Sequence, residues 1–220
     1  MKTHTKYWFL EEFNLFSKIG TFSMMKICEI LDMGNIDKGA EISLKNRDKK
    51  CIFFLKKGTV KIINSKTNTV KYIVKRGNIF GELALYNEEA SAGEVAIALE
   101  DCIICYIEAS QMDQFMEKYS SLKNGVLKVY GLRIKKLERR LDDLLYKDSK
   151  TRIIEFIEDY VNEFGEDNGE GMFIAKNLLS HKDISNLTNT SRQTVSNVLS
   201  KMRKKGLVNY NTKTISIKRN

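Results

Sequence analysis

The 220-residue chain contains no proline and only two histidines, His4 and His181. Without proline, tight turns must be made by glycine, asparagine, aspartate or lysine. Because no histidine lies between residues 5 and 180, a β-barrel in this region would lack the imidazole ligands that metal-dependent enzymes of that architecture use. We therefore predict a protein that is not an enzyme, and we expect neither a metal site nor haem.

Long apolar segments and a disulfide framework are also missing. The longest apolar runs, such as residues 102–107, are far shorter than the roughly 20 residues that span a bilayer, and the N-terminus lacks an apolar export signal. Cys102 and Cys105 lie three apart in an apolar strand, where their side chains should point to opposite faces. We expect a cytoplasmic protein without a membrane segment, whose four cysteines are thiols.

Positive charge is concentrated at one end of the chain. The sequence has 37 Lys and Arg against 28 Asp and Glu, yet residues 1–170 contain 27 of each sign. Residues 171–220, the basic segment, contain ten basic residues and one acidic residue, Asp183, and so carry the whole net charge of +9. This distribution favours binding to a polyanion such as nucleic acid. A surface charged by chance is the alternative.

The first thirty residues carry apolar side chains at helical spacing, and the pattern changes near Ile36 to short β-rich segments. Six such segments follow one another with turn residues between them. They are residues 41–44, 51–55, 59–63, 70–74, 95–98 and 102–107. Short strands at about ten-residue spacing predict a β-sandwich or barrel, and we expect a β-roll of about seventy residues.

A long helical stretch is predicted from about residue 109 to residue 146. Within it, apolar residues recur alternately three and four apart, which is the spacing of a coiled-coil seam. The seam consists of Leu127, Tyr130, Ile134, Leu137, Leu141 and Leu144. Such a seam needs a partner helix, so we predict a homodimer; packing on the chain's own β-roll is the alternative, and different turns could do each. A helix over residues 151–164 follows, with Ser149 as its N-cap.

The basic segment has the pattern of two short helices joined by a tight turn. Ser180 is expected to cap the first helix, with Asp183 in its first turn, and Ser191 to begin the second. The second helix presents polar side chains at its amino-terminal end, where a recognition helix meets base edges. Gly206 ends this helix and residues 207–217 form a hairpin. The pattern predicts a winged helix-turn-helix; a small domain that binds only protein is the alternative.

Residues 183–199, DISNLTNTSRQTVSNVL, closely resemble the helix-turn-helix signature of the cyclic-AMP receptor protein/fumarate-nitrate regulator (Crp/Fnr) family of bacterial transcription factors. Residues 38–42 and 57–61 are similar to the family's glycine turns, and residues 76–85 to the opening of its phosphate-binding cassette. The resemblance covers nearly the whole chain. It implies an α+β fold with N-terminal helices and a cyclic-nucleotide-binding-like β-roll (1–108), a long dimerisation helix (109–147) and a winged helix-turn-helix (148–220).

The resemblance also implies a homodimer that regulates transcription by binding double-stranded DNA at an inverted repeat, with RNA polymerase as a further candidate partner. Base contacts are assigned to Arg192, Gln193, Ser196 and Asn197. Phosphate contacts are assigned to Ser180, His181, Lys182, Ser191 and Thr194. Family members commonly have Glu at the position of Gln193 and Arg at that of Asn197. Because Gln prefers adenine where Glu accepts from cytosine, we expect a half-site that differs from the common one.

The cassette departs from that of nucleotide-binding members. Its positions here are Gly81, Glu82, Leu83, Ala92 and Gly93. Ala92 and Gly93 replace the Arg-Ser pair that holds the cyclic phosphate, Leu137 and Glu138 replace the hydroxyl pair that contacts adenine, and residues 77–117 contain no Lys or Arg. Binding would forfeit charge-assisted hydrogen bonds worth about 1.5–3 kcal/mol each. We predict no cofactor and no regulation by cyclic AMP; a regulator responding to a cyclic nucleotide or another small molecule through a non-standard cassette is the alternative.

Overall fold

The computed structural model describes residues 6–7, 10–11, 13–16, 18–46, 49–85, 93–169 and 171–218. Two compact units divide the chain, the first from Met1 to Lys135 and the second from Lys136 to Asn220. The boundary falls within a long helix that contributes residues to both units. The Ala92 position of the cassette lies outside the described residues.

The part of the first unit that the structure describes contains nine strands. They are β1 (Asp32–Ile36), β2 (Glu41–Ile42), β3 (Lys45–Asn46), β4 (Lys49–Lys57), β5 (Thr59–Asn64), β6 (Thr69–Lys75), β7 (Ile79–Phe80), β8 (Glu94–Ala98) and β9 (Cys102–Glu108). They form two antiparallel sheets, in the orders β1-β9-β4-β3, with β7 also paired to β4, and β2-β8-β5-β6. The predicted β-roll is confirmed, and the short strands β1, β3 and β7 add to the six segments that the pattern predicted.

Both faces of the central strand β4 are covered by apolar side chains. One face joins a core that contains residues of both sheets, where Phe53 stacks on Phe80 with ring centroids 4.9 Å apart. The other face packs Ile52 and Phe54 against the helices of the unit. Residues 51–55 are therefore all buried, and the strand is apolar without alternation. Cys102 and Cys105 of β9 belong to the two different cores, as their spacing predicted.

The β-roll is accompanied by the helices α1 (Thr21–Ile30), α2 (Ala109–Lys118) and α3 (Ser120–Tyr146). The sequence predicted one continuous helical stretch over residues 109–146, and this was wrong at one residue. Tyr119 has extended backbone angles (φ −122°, ψ 94°) and ends α2. Both helices pack on the same core on either side of this break, because Met112 of α2 and Leu122 and Val126 of α3 are all buried in it.

The second unit contains α4 (Ser149–Phe164), α5 (His181–Thr188), α6 (Arg192–Lys204) and an antiparallel sheet. The sheet has the order β10-β11-β13-β12, with β10 (Glu166–Asp167), β11 (Met172–Lys176), β12 (Val208–Tyr210) and β13 (Thr214–Lys218). The β12–β13 hairpin confirms the predicted wing, whereas β10 and β11 were not predicted. Asp148, not Ser149, caps α4, because the Asp148 carboxylate accepts from the Thr151 N–H at 2.7 Å.

Candidate nucleic-acid interface and cassette

The first helix of the helix-turn-helix, α5, begins with a capping box. The Asp183 N–H donates to the Ser180 hydroxyl oxygen at 3.1 Å, and the Ser180 N–H donates to the Asp183 carboxylate at 2.9 Å. The Ser180 hydroxyl also donates to that carboxylate. These bonds satisfy orphan donors at the helix start. The one acidic side chain of the basic segment is therefore buried in a helix cap.

A one-residue left-handed turn leads from α5 to α6. Asn189 has φ 50° and ψ 55°, a conformation that asparagine tolerates better than most residues. Ser191 then caps α6 by accepting from the Thr194 N–H at 3.0 Å, and its hydroxyl also contacts the Thr194 hydroxyl at 2.8 Å. The amino terminus of α6 thus begins where the sequence placed it, and helix amino termini favour phosphate.

The recognition helix α6 has one apolar and one polar face. The apolar face is buried and consists of Val195, Val198, Leu199 and Met202. The opposite side exposes Arg192, Gln193 and Asn197, with Ser196 half-buried beside them; these four residues form the reading face. The Gln193 side-chain amide donates to the side-chain oxygen Oδ1 of Asn197 at 3.2 Å. The structure therefore brings the four predicted base-contacting residues onto one surface.

A second group of cations lies at the carboxyl end of α6. Lys201, Arg203, Lys204 and Lys205 are all exposed. The guanidinium of Arg203 lies 5.4 Å from the centroid of the Tyr210 ring on the wing, and His181 packs edge-on to the same ring at 6.4 Å between centroids. The charge count included these cations but assigned them no contact. Their position on the recognition helix makes them candidates for additional phosphate contacts.

The carboxyl end of α5 is held by arginine. Arg152, in the first turn of α4, donates to the carbonyl of Thr188 at 3.0 Å and to that of Asn189 at 3.2 Å. Its guanidinium also donates to the Lys147 carbonyl at 2.6 Å. The last carbonyls of a helix have no partners within the helix. Arg152 supplies such partners and fixes the turn that precedes the recognition helix.

The glycine of the cassette is explained by packing. Gly81 follows β7 with φ +77°, and a Cβ there would lie 2.6 Å from the Cys51 carbonyl oxygen of β4. A side chain would thus be strained by both backbone conformation and space. A short 3₁₀ helix, Glu82–Leu85, starts directly after it and leaves Leu83 half-buried. The close contact of Gly81 with β4 therefore fixes the position of the backbone from which the Glu82 side chain projects.

Glu82 is completely buried. Its carboxylate forms an ion pair with Arg133 of α3, whose guanidinium lies 4.3 Å from the centroid of the Tyr72 ring. The Tyr130 hydroxyl donates to the Glu82 backbone carbonyl at 2.6 Å. Burial raises the pKa of Glu82, and the positive charge of Arg133 opposes that rise. The sequence did not predict this pairing, because nothing local links residues 82 and 133.

The last described position of the cassette, Gly93, precedes β8. It has φ +88°, and its carbonyl accepts from the Ser65 N–H at 2.7 Å. An L-amino acid with a side chain adopts this backbone conformation only with strain. The backbone at this position therefore suits the glycine that the sequence has, and a serine here would be strained.

The predicted seam of α3 divides into two parts. Tyr130, which packs on the core of its own β-roll and bonds to Glu82, bears out the alternative interpretation for that turn. The remaining five residues, Leu127, Ile134, Leu137, Leu141 and Leu144, are exposed, and Leu137 reaches 64%. Aliphatic side chains at a/d spacing with this exposure are an uncovered apolar surface.

Neither a membrane span nor a metal cluster is found in the described ranges. No helix there combines the length and apolar character that a bilayer crossing requires. Histidine, cysteine, aspartate and glutamate side chains there do not gather in threes that could hold a metal ion. Burial raises the pKa of Cys28 to about 11 and that of Cys105 to about 12, so both are thiols at neutral pH.

Two family models match the chain. The model for the cyclic nucleotide-binding domain matches residues 35–119, which include the β-roll and the cassette. The model for the Crp-like helix-turn-helix domain matches residues 151–219, which include α4, α5, α6 and the wing. Together the two ranges span more than half of the chain.

Known proteins are similar to the chain over most of its length. The chain is 22% identical over 177 residues to the Anaerobic regulatory protein of Bacillus subtilis, covering 79% of this chain and 74% of that protein. It is 24% identical over 173 residues to the cAMP-activated global transcriptional regulator Vfr of Pseudomonas aeruginosa, covering 76% and 79%. The solved structure of FixK2 from Bradyrhizobium japonicum has a TM-score of 0.71 at 17% identity, covering 87% and 93%, and shares the fold.

Proposed function

Because the chain belongs to the Crp/Fnr family of DNA-binding transcription regulators, we propose that it binds an inverted-repeat operator as a homodimer and without cyclic AMP. The proposal includes the three-part organisation of residues 1–108, 109–147 and 148–220, a cytoplasmic location, RNA polymerase as a candidate partner and no catalytic activity. The exposed reading face of α6, on a segment of charge +9, is the observation that carries it.

The homodimer is supported by the exposed part of the seam. Ile134, Leu137, Leu141 and Leu144 follow the three-and-four spacing along one side of α3, and each exposes more than a third of its surface. An equivalent helix would cover this side by knobs-into-holes packing. Sedimentation should give a dimer, and Leu137→Asp with Leu141→Asp should give a folded monomer. A dimer that survives both substitutions would contradict this interface.

Base recognition is assigned to the reading face. Arg192, at the amino-terminal end of α6, would contact guanine with two parallel hydrogen bonds, while Gln193 and Asn197 contact neighbouring bases. The bond between Gln193 and Asn197 orients both amides before DNA arrives. Ser196 is half-buried and lies beside them on the same face.

Backbone recognition is assigned to the starts of the two helices. His181 and Lys182 open α5, and Ser191 and Thr194 open α6; these positions suit phosphate contacts. The fifth residue, Ser180, already makes three hydrogen bonds in the capping box. Its contribution to binding is therefore to hold α5 in place.

The test of DNA binding is selection from a random pool of duplexes with the full-length protein, with and without cell metabolites. A dimer with one recognition helix per subunit should select an inverted repeat with half-sites about 34 Å apart. Selection with Arg192→Ala should relax one base position in each half-site. Failure to enrich any sequence would contradict specific DNA binding and leave the protein-interaction alternative.

Independence from cyclic AMP is supported by three features of the cassette. The Arg-Ser pair is absent from the sequence, Glu82 is buried against Arg133, and Gly93 has a backbone conformation in which serine is strained. A cyclic phosphate would need a cation to replace its hydration. Arg133, which contacts the cassette residue Glu82, is already paired with that carboxylate.

Calorimetric titration tests this part of the proposal. Neither cyclic AMP nor cyclic GMP should produce saturable heat with the full-length protein, and neither should change its affinity for the selected operator. Micromolar binding of either nucleotide would overturn the proposal and favour a regulator with a non-standard cassette. Arg133→Lys keeps the positive charge beside Glu82, and any residual binding of either nucleotide is examined by titrating this variant in the same way.

A further inference from the structure

The carboxyl end of α5 is contacted by a second arginine, which comes from a different element. Arg140 of α3 donates from its guanidinium to the backbone carbonyl of Asn186 at 2.9 Å. Asn186 lies in the last turn of α5, next to the Thr188 and Asn189 carbonyls that Arg152 holds. Two guanidinium groups therefore add hydrogen bonds at the carbonyl end of this helix, where the Asn186 carbonyl also accepts from the Asn189 N–H at 3.4 Å. Both cations complement the negative end of the helix dipole.

The two arginines differ in what they connect. Arg152 lies in α4 and ties the helix-turn-helix to its own domain. Arg140 lies on the long helix, between the exposed seam residues Leu137 and Leu141. Its hydrogen bond therefore joins the long helix directly to the last turn of α5, just before the connection to α6.

The setting of Arg140 differs from that of the adjacent Arg139. Arg140 is half-buried and burial lowers its pKa, although a guanidinium stays charged at neutral pH. Removing the acceptor of a partly buried cation costs more free energy than removing the acceptor of an exposed one. The adjacent Arg139 pairs with Asp159 of α4 at 2.8 Å, but both side chains are more than half exposed, and such pairs contribute little.

From this geometry we propose that Arg140 is a positioning residue, which fixes the recognition helix relative to the dimer seam. The inference rests on the proposed function, because it concerns how a homodimer presents two recognition helices to one operator. Each base pair inserted between the half-sites increases their separation by about 3.4 Å and rotates one half-site around the duplex relative to the other. A helix-turn-helix that is held firmly on the long helix should bind poorly to an operator with the wrong spacing. A loosely held helix-turn-helix should adapt to that spacing.

The experiment compares operator spacings. The selected operator and two derivatives, with one base pair removed or added at the centre, are titrated with wild type, Arg140→Ala, Arg140→Lys and Arg139→Ala. Wild type and Arg139→Ala should prefer the selected spacing by about tenfold or more, a factor that corresponds to about one charge-assisted hydrogen bond. Arg140→Ala should bind all three within about threefold, and Arg140→Lys should restore part of the preference.

The outcomes separate the inference from the proposed function. If wild type selects no operator, the proposed function fails and the inference fails with it. If wild type prefers one spacing and Arg140→Ala keeps that preference, only the inference is overturned. A uniform loss of affinity at all three spacings would also overturn it, because that loss indicates a structural role alone. Sedimentation of each variant confirms that dimers are being compared.

Discussion

Glu82 in the β-roll and Asp183 in the helix-turn-helix are both buried acidic residues, and they are stabilised in different ways. Asp183 accepts hydrogen bonds from the residue that caps its own helix, three positions away. Glu82 is paired with Arg133, which is 51 positions away in the sequence and on a different element. The carboxylate in the cap is satisfied by local hydrogen bonds, whereas the carboxylate in the cassette depends on tertiary structure.

The same difference separates the two ends of the molecule. The neutral N-terminal region pairs a buried charge internally, as Glu82 does with Arg133. The basic segment places its one acidic residue in a cap and leaves Arg192, Lys182 and the cations at the end of α6 exposed. The buried charge of Glu82 therefore depends on a partner within the fold, whereas the exposed cations of the basic segment are available for binding.

The largest expected effect comes from removing the cation of the cassette. Arg133→Met leaves Glu82 buried without its partner, which should cost about 3–5 kcal/mol of unfolding free energy. Chemical denaturation followed by tryptophan and tyrosine fluorescence measures it. Lys136→Met is the control on the same helix, because Lys136 makes an exposed ion pair with Glu163 and should cost less than about 1 kcal/mol. Equal costs for the two variants would contradict the tertiary role of Arg133.

The pH dependence of the same variant sharpens this contrast. Burial raises the pKa of Glu82 above that of the unfolded chain, so stability from this group is present at low pH and is lost as pH rises through the folded pKa. Without Arg133, that pKa rises further. The deficit of Arg133→Met should therefore shrink as pH falls from about 8 to about 5. In a Glu82→Gln background no carboxyl titrates at this site, so the cost of adding Arg133→Met, measured against Glu82→Gln alone, should not change over this range.

In the basic segment, the opposite is expected: substituting one of its exposed cations should lower the affinity for DNA and leave the unfolding free energy unchanged. Arg192→Ala removes an exposed side chain, so it should leave the unfolding free energy unchanged and cost about 1–3 kcal/mol of operator affinity. Fluorescence anisotropy with the selected operator and with single-base variants measures both affinity and specificity. Arg203→Ala, at the far end of the same helix, should instead weaken all sequences alike. Specific binding that survives Arg192→Ala would mean that α6 is not the reading helix.

The same contrast explains what could be predicted from sequence. Ser180, Asp183 and Ser191 act within three residues of their partners, so the caps and both helices were predictable from local pattern. The bonds of Arg133 to Glu82, of Arg140 to Asn186 and of Arg152 to Thr188 each span 36 or more positions. Such contacts depend on how elements pack. Sequence could therefore indicate that the cassette lacked its Arg-Ser pair, but not that an arginine of α3 contacts Glu82.

A smaller effect is expected where the acid is satisfied locally. Asp183→Ala removes half of the capping box and should cost about 1 kcal/mol of stability, well below the cost of Arg133→Met. Thermal unfolding measures it, and Asp183→Asn should recover part of the loss because its side-chain oxygen can still accept. A cost as large as that of Arg133→Met would show that Asp183 is stabilised by more than its cap.

The smallest effect on stability is expected at Lys182, which is exposed in the first turn of α5. Lys182→Ala should leave unfolding unchanged and weaken binding to every duplex. If Lys182 contacts one phosphate in each subunit, the slope of log K against log salt should become shallower by about 0.9 per contact, and the ranking of operator sequences should stay the same. Titrations at several salt concentrations measure the slope. A change in ranking would mean that Lys182 contacts bases, whereas a lower unfolding free energy would assign this exposed charge to stability and remove the contrast between the two regions.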